Sequence, residues 1–281
     1  MYTFRTIAPA LARTCWTAFL ALAVLETFYG IPSFLAWVFL LSGVVIKYVS
    51  ARPPRNREYP PPLEVAPPVI GRWLAMNSPA DKVPSHGTHG YGQSHAIDIV
   101  AEPADGSRPA FGWWPPSLPN RDFPAFGAPL LAVAEGTVVS ARDTQRDHRS
   151  RNSWPALAYL LIEGLLRDIA GPHRVIGNHV TIDLGEGRYA LYAHVRRGSL
   201  RVREGDRVTP GQPLAECGNT GNSSEPHVHF QLMDHPDPRH AQGIPFTWTG
   251  VGVPANAETF TSPASAPATE DPARSGTASA G

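Results

Sequence analysis

The chain has 281 residues, with 24 basic and 24 acidic side chains, so its formal net charge is zero. That balance gives no reason to expect nucleic acid as a partner. Its 25 glycines and 30 prolines argue for many turns and against a helical bundle, and two cysteines are too few for a disulfide framework.

Residues 15–49 are almost continuously apolar. A spanning helix takes about 20 apolar residues, so the block is too long for one ordinary span and short for two. Gly30-Ile31-Pro32 offers a break. Residues 1–50 therefore read as a membrane anchor of two short helices, with one long or kinked helix as the alternative. The block is too long, and lacks a clear closing cleavage site, for a removed signal peptide. Arg5 and Arg13 precede it, and Lys47, Arg52, Arg55 and Arg57 follow. Basic residues favour the cytoplasmic side. A hairpin would satisfy both flanks and keep the following domain cytoplasmic, whereas a single span would place it outside. The charges leave the facing open.

Residues 51–69 form a proline-rich linker, expected to be extended and semi-rigid. Residues 251–281 are rich in Ala, Ser, Thr and Pro, and are expected to be a disordered tail. The folded domain is expected between them, over residues 70–250.

Inside that domain the pattern is mainly β. The segment from Pro129 runs to a turn at Glu135-Gly136 and on through Thr137, Val138 and Val139. Val180, Ile182 and Leu184 alternate on one face, Gly185-Glu186-Gly187 turns, and the chain returns through Tyr189 and Leu191, which is a hairpin. Further short strands are expected at Arg201-Val202, Arg207-Val208, residues 213–215 and residues 228–232. Many short strands joined by glycine turns predict an antiparallel sheet or barrel-like sandwich. Residues 156–170 break the pattern with apolar residues at helical spacing, behind Ser153-Trp154-Pro155, and predict a helical insertion.

His227 and His229 stand two apart in a strand-like segment, so both imidazoles share one face while Val228 and Phe230 enter the core. Such a pair suits metal binding, or one ligand beside one acid–base group. The small, turn-prone run Gly218-Asn219-Thr220-Gly221-Asn222-Ser223-Ser224 leaves room beside it. His194 closes the strand that begins at Arg188. Asp98 is a lone carboxylate in the apolar run Ile97-Asp98-Ile99-Val100, a place that needs a partner or a metal.

The ordered set Ile97-Asp98, Tyr192-Ala193-His194 and Gly218-x-x-Gly221-Asn222-Ser223-Ser224-x-x-His227-Val228-His229, with Gly205-Asp206-x-Val208-x-x-Gly211 between, resembles the M23 peptidases of the lysostaphin/LytM type. The likeness covers most of residues 85–232. It implies a β-sheet groove holding one zinc ion, and cleavage of peptide bonds in peptidoglycan, with wall peptides as the partner. It also implies a catalytic domain outside the cell membrane that anchors it. Carried over by position, Asp98 and His229 would be zinc ligands, and His194 and His227 catalytic. The chain departs from the family where the first ligand is expected: four residues before Asp98 stands Ser94. His86, on an earlier loop, is favoured in its place, with His89 the alternate; His95, three before Asp98, faces the other way. The alternative reading is a non-catalytic LytM-like module that binds wall peptides or regulates another wall hydrolase. A lipoyl- or phosphocarrier-like domain would share the Gly205–Gly211 pattern without needing the ligand set. His179 is a candidate to line the groove. His148, His173, His235 and His240 read as solvated, and Arg196, Arg197, Arg201 and Arg203 as a solvated basic loop.

Overall fold

The computed structural model describes residues 2–30, 32–51 and 59–263. The apolar block forms two helices, α1 (Tyr2–Tyr29) and α2 (Ser33–Ala51). The chain turns between them at Gly30, whose φ of +61° lies in the left-handed region that glycine enters without penalty. The helices run antiparallel. Phe19 meets Trp37 at 6.2 Å between ring centroids, and nearer the domain Trp16 packs on Gly43 with the Lys47 ammonium 5.0 Å from its ring. Among the described residues Ala10–Tyr29 is the one stretch long and apolar enough to cross a membrane; Ser33–Val49 is apolar but shorter.

The domain that follows is mostly antiparallel β. Its strands are β1 (Leu63–Val65), β2 (Gly71–Met76), β3 (Ile97–Ala101), β4 (Pro129–Leu131), β5 (Gly136–Arg142), β6 (His179–Asp183) and β7 (Tyr189–Ala193). After these come β8 (Arg207–Val208), β9 (Pro213–Glu216), β10 (Val228–Met233), β11 (Gly243–Ile244), β12 (Phe246–Trp248) and β13 (Thr259–Ser262). The main sheet has the order β13-β2-β3-β10-β7-β6-β5-β8, with β11 also on β10. It is open rather than closed into a barrel; two small pairs, β1 with β12 and β4 with β9, flank it. The helical insertion is present as α3 (Trp154–Ala170) and a short α4 (Pro172–Ile176). Ser153 caps α3, its hydroxyl accepting from the Ala156 amide, and Pro155 sits in the first turn where its missing N–H costs nothing.

Strand β10 lies in the middle, between β3 and β7, and its two faces divide the labour. Val228, Phe230 and Leu232 point into a core with Ile97, Ile99, Tyr192 and Trp248, all fully buried. His227, His229, Gln231 and Met233 point the other way. Because His229 pairs with Asp98 on one side and Ala193 on the other, those residues share its face. The pleat alone thus brings the carboxylate beside the histidine.

Two expected boundaries move. Leu63 and Val65, assigned to the linker of residues 51–69, form β1 and pack on the core. Residues 259–262, assigned to the tail of residues 251–281, form β13 along β2, with Phe260 buried and the Ser262 hydroxyl donating to the Val69 carbonyl at 2.5 Å. In both cases a few β-prone residues are paired by a distant strand, which local composition does not report. Residues 52–58 of the expected linker and 264–281 of the expected tail lie outside the described residues. Arg201-Val202 is irregular rather than a strand, although Val202 is buried.

His173, His235 and His240 are exposed as expected, but His148 is buried. It is packed against the loop before β10, with Nε2 3.0 Å from the Gly221 carbonyl oxygen. Burial pushes its pKa below the ordinary 6.5, against the pull of the Arg149 and Gly221 carbonyls; burial lowers His179 in the same way. Both rings take up a proton less readily in the fold than in the unfolded chain, which protonates them as pH drops below 6.5. The sign is therefore destabilising on acidification. Urea midpoints of the metal-free protein at about pH 7.5 and about pH 5 should fall with pH, and the His148→Gln variant should show a shallower fall than wild type.

Candidate metal centre

Five side chains converge on the polar face of β10. Asp98 is at their centre, largely buried. One of its oxygens, Oδ2, lies 2.9 Å from His86 Nε2 and accepts from Asn77 Nδ2 at 2.8 Å. The other, Oδ1, lies 2.9 Å from His229 Nδ1 and 3.5 Å from His227 Nε2. His194 completes the wall, its ring 4.7 Å from that of His227 and 5.8 Å from that of His229. Ligand atoms of His86, Asp98 and His229 all lie within 4.8 Å of one another. His89 is not among them: its Nδ1 is 2.7 Å from the Ser94 hydroxyl. His95 is buried, edge-on to Tyr59 at 4.5 Å, and also turned away.

The outer nitrogen of each ring has a partner that fixes its tautomer. His194 Nδ1 is 2.7 Å from the Thr220 carbonyl, and His227 Nδ1 is 2.8 Å from that of Glu225. A carbonyl can only accept, so both nitrogens carry hydrogen. The Ser85 hydroxyl donates to the Ala96 carbonyl at 2.6 Å, which leaves its oxygen to accept from His86 Nδ1 at 3.0 Å. Gln231 donates through Nε2 to the Tyr91 carbonyl at 2.8 Å, which aims its Oε1 at His229 Nε2, 3.0 Å away. Every outer nitrogen is thus a donor, and the inner nitrogens of the rings face the site.

An imidazole nitrogen 2.9 Å from a carboxylate oxygen calls for positive charge in the site, carried by a protonated ring or by a cation held between the two groups. Burial by itself would raise the Asp98 carboxyl; positive charge at His86 and His227, with hydrogen bonds from His227 and His229, outweighs that and holds it well below the usual carboxylate range. A site built for positive charge that offers two imidazole nitrogens and one carboxylate oxygen within 4.8 Å of one another has the donor set of a catalytic zinc. The residues present fit that ion.

Four residues of the arrangement carry no earlier assignment. Gln231 is two residues past His229 and on the same face, so strand alternation alone could have found it. Ser85 precedes His86 directly. Asn77 has left-handed backbone (φ 48°), a conformation asparagine tolerates, and gave no sequence signal. The Thr220 carbonyl is set by its loop: Asn178 N donates to Thr220 Oγ1 at 3.0 Å, and a Cβ at Gly221 would lie 2.5 Å from the Val175 carbonyl oxygen, so only glycine fits there. Outer partners such as Gln231 orient a metal-binding histidine and typically set affinity by about 10–100-fold. Gln231→Leu is expected to weaken zinc binding by about that factor, read by competition with a chromophoric chelator, with the fold retained by circular dichroism.

The basic loop after His194 is tied down by local ion pairs: Arg196 and Arg201 both reach Glu216, and Arg203 reaches Asp206. His179, at the start of β6, is set by the Gly177 carbonyl and the Ser140 hydroxyl.

Comparison with known proteins reaches the same face of the sheet. Residues 162–241 match the family model described as Peptidase family M23, a stretch that takes in His194, His227 and His229 and stops short of His86 and Asp98. Peptidoglycan DD-endopeptidase ShyA of Vibrio cholerae is 34% identical over 61 residues, covering 22% of this chain and 14% of ShyA, so the chain spans a small part of that relative's length. Similar solved structures include the catalytic domain of the prophage-encoded M23 protein EnpA of Enterococcus faecalis, at 20% identity over 56% of this chain and 75% of that one (TM-score 0.31). The catalytic domain of lysostaphin from Staphylococcus simulans matches at 23% identity over 48% of this chain and 85% of its own (TM-score 0.28). Residues 162–241, which carry His194, His227 and His229, are thus similar to peptidase family M23.

Proposed function

We propose that the chain is a membrane-anchored zinc endopeptidase that hydrolyses peptide bonds in peptidoglycan cross-links. The observation that carries the reading is the set of imidazole nitrogens that converge on one buried carboxylate. His86 through Nε2, Asp98 and His229 through Nδ1 hold the ion. When bound, zinc supplies a Lewis acid that polarises the scissile carbonyl and makes water a nucleophile near neutral pH. The chain's own residues manage the protons. His194 and His227 each present an Nε2 while their Nδ1 is locked to a carbonyl. Between them they accept the proton of the attacking water, donate to the developing oxyanion and return a proton to the leaving amine.

Two further features support the assignment. The substrate class follows the family and the similarity to a peptidoglycan endopeptidase. Anchoring follows the apolar helices, one of which is long enough to span. A wall substrate sets the domain on the outer side of the membrane, which reporter fusions after residue 60 would check.

Full-length protein in detergent, incubated with purified peptidoglycan, should release fragments whose masses report a cut peptide bond. Chelation should stop release, and zinc should restore it. Zinc-loaded protein that binds peptidoglycan but releases nothing would replace this reading with that of a binding module.

A further inference from the structure

Helix α3 is amphipathic in the wrong sense for a helix covering a soluble domain. Its inner side carries the charges: Glu163 pairs with Arg151 at 3.0 Å and with Arg167 at 3.5 Å, and only Ala156 and Leu160 are deeply buried. Trp154, Leu161, Ile162 and Leu166 recur at helical spacing on the outer side, with Leu161 71% and Ile162 60% exposed. Ordinary surface helices bury such a stripe; a contiguous exposed one marks a contact.

The stripe continues beyond the helix. Gly112 bridges to Ser153, and the Trp154 amide donates to the Gly112 carbonyl at 3.0 Å, which fixes the preceding loop to the start of α3. Phe111 and Trp113 stack around Trp154 at 5.0 and 6.2 Å, and Trp114 is 83% exposed. At the other end α3 meets the anchor. Helix α1 lies against it, with the Arg13 charge of α1 acting on Tyr91, whose hydroxyl donates to Asp168 of α3 at 2.8 Å. Arg13 is near the start of the apolar stretch Ala10–Tyr29, and α2 returns antiparallel, so both hairpin ends are at the domain. The apolar stripe therefore begins beside the domain end of the apolar helix pair.

We propose that α3 and the Trp113-Trp114 loop dock into the headgroup–acyl boundary of the bilayer that holds α1 and α2. The proposal rests on reading those helices as the anchor. An interfacial helix presents a wholly apolar face to lipid, and tryptophan indoles favour that depth. The inner side of α3 also backs the site: a Cβ at Gly164 would lie 3.1 Å from Asn222 Oδ1, in the loop before His227. Docking of α3 therefore seats one wall of the cleft on the membrane and confines cleavage to substrate close to it.

The test uses the full chain with Cys15→Ser, the second cysteine, Cys217, being buried. An environment-sensitive fluorophore is placed through Leu161→Cys, Trp113→Cys, Leu41→Cys or Arg203→Cys, and each protein is reconstituted in phosphatidylcholine–phosphatidylglycerol vesicles. Leu41 is exposed on α2 and reports the anchor; Arg203 is exposed on the far loop. The expected result is a blue shift and quenching by nitroxide lipids at positions 161, 113 and 41, with none at 203. Quenching at 41 while 161 and 113 stay open to aqueous iodide overturns the docking and keeps the anchor. No quenching at 41 overturns the anchor, and the docking with it. Shielding of 161 from both lipid nitroxide and iodide assigns the face to a protein contact and also overturns the proposal.

Discussion

His86→Ala is expected to purify without stoichiometric zinc, while His89→Ala keeps its full complement. The two histidines are three residues apart on one loop, yet their surroundings differ in kind. The Ser85 hydroxyl, anchored on the Ala96 carbonyl, takes the His86 Nδ1 hydrogen and aims Nε2 at Asp98. The Ser85 amide donates to the Ser94 carbonyl at 3.1 Å, and Gln231 grips the Tyr91 carbonyl, so both arms of the loop are pinned beside the site. Gly92 lets the loop pass: its φ is +73°, and a Cβ there would lie 2.8 Å from Gln231 Nε2. His89 instead bonds Ser94, the residue that stands where the family pattern has its ligand. Losing one of three ligands should cost more than the roughly 10–100-fold of an outer partner, enough to empty the site on dialysis. Metal analysis by plasma mass spectrometry decides it: zinc lost from His89→Ala and kept by His86→Ala would reverse the assignment.

What could be read from sequence follows the range of the forces involved. Strand alternation is local, so the shared face of His227 and His229, and the burial of Val228 and Phe230 opposite them, were legible from residue type and spacing. So was the helical insertion, through Ser153, Pro155 and the apolar repeat behind them. Asp98 announced itself because an unpaired carboxylate among Ile97, Ile99 and Val100 is energetically untenable. The return of His86 was legible only as a choice between two loop histidines, since the choice depends on hydrogen bonds across the loop. Long-range pairing was not legible. The Thr259–Ser262 strand lies in a stretch poor in large apolar residues and is ordered by β2, nearly 190 positions earlier by register. His148 sits in an Asp- and Arg-rich segment that reads as solvated, yet the loop before β10 covers it. The sense of α3 was likewise invisible: apolar residues at helical spacing predict a stripe, and only the position of Glu163 and Arg167 against Arg151 says that the stripe faces outward.

His194→Ala and His227→Ala should each retain zinc and lose about 10²–10⁴ in kcat/KM on a soluble cross-link peptide, the range that general acid–base groups supply. Retained metal separates these two from His86, because neither ring belongs to the group of three ligand atoms. The backbone strengthens the case for His194. Its φ is +60°, a left-handed conformation that costs a non-glycine residue roughly 1–3 kcal/mol, and such strain persists where the surroundings over-determine it. Here the His194 amide donates to Ile176, its carbonyl accepts from Gly218, and its ring is held by Thr220. His194→Gly removes the strain along with the imidazole, so a loss of activity in that variant cannot be ascribed to a backbone unable to take its place. The rings of His194 and His227 are 4.7 Å apart and share one set of proton transfers. Groups that act as a unit are grossly non-additive. The His194→Ala/His227→Ala double variant should therefore lose little more activity than either single variant, whereas two independent contributions would multiply.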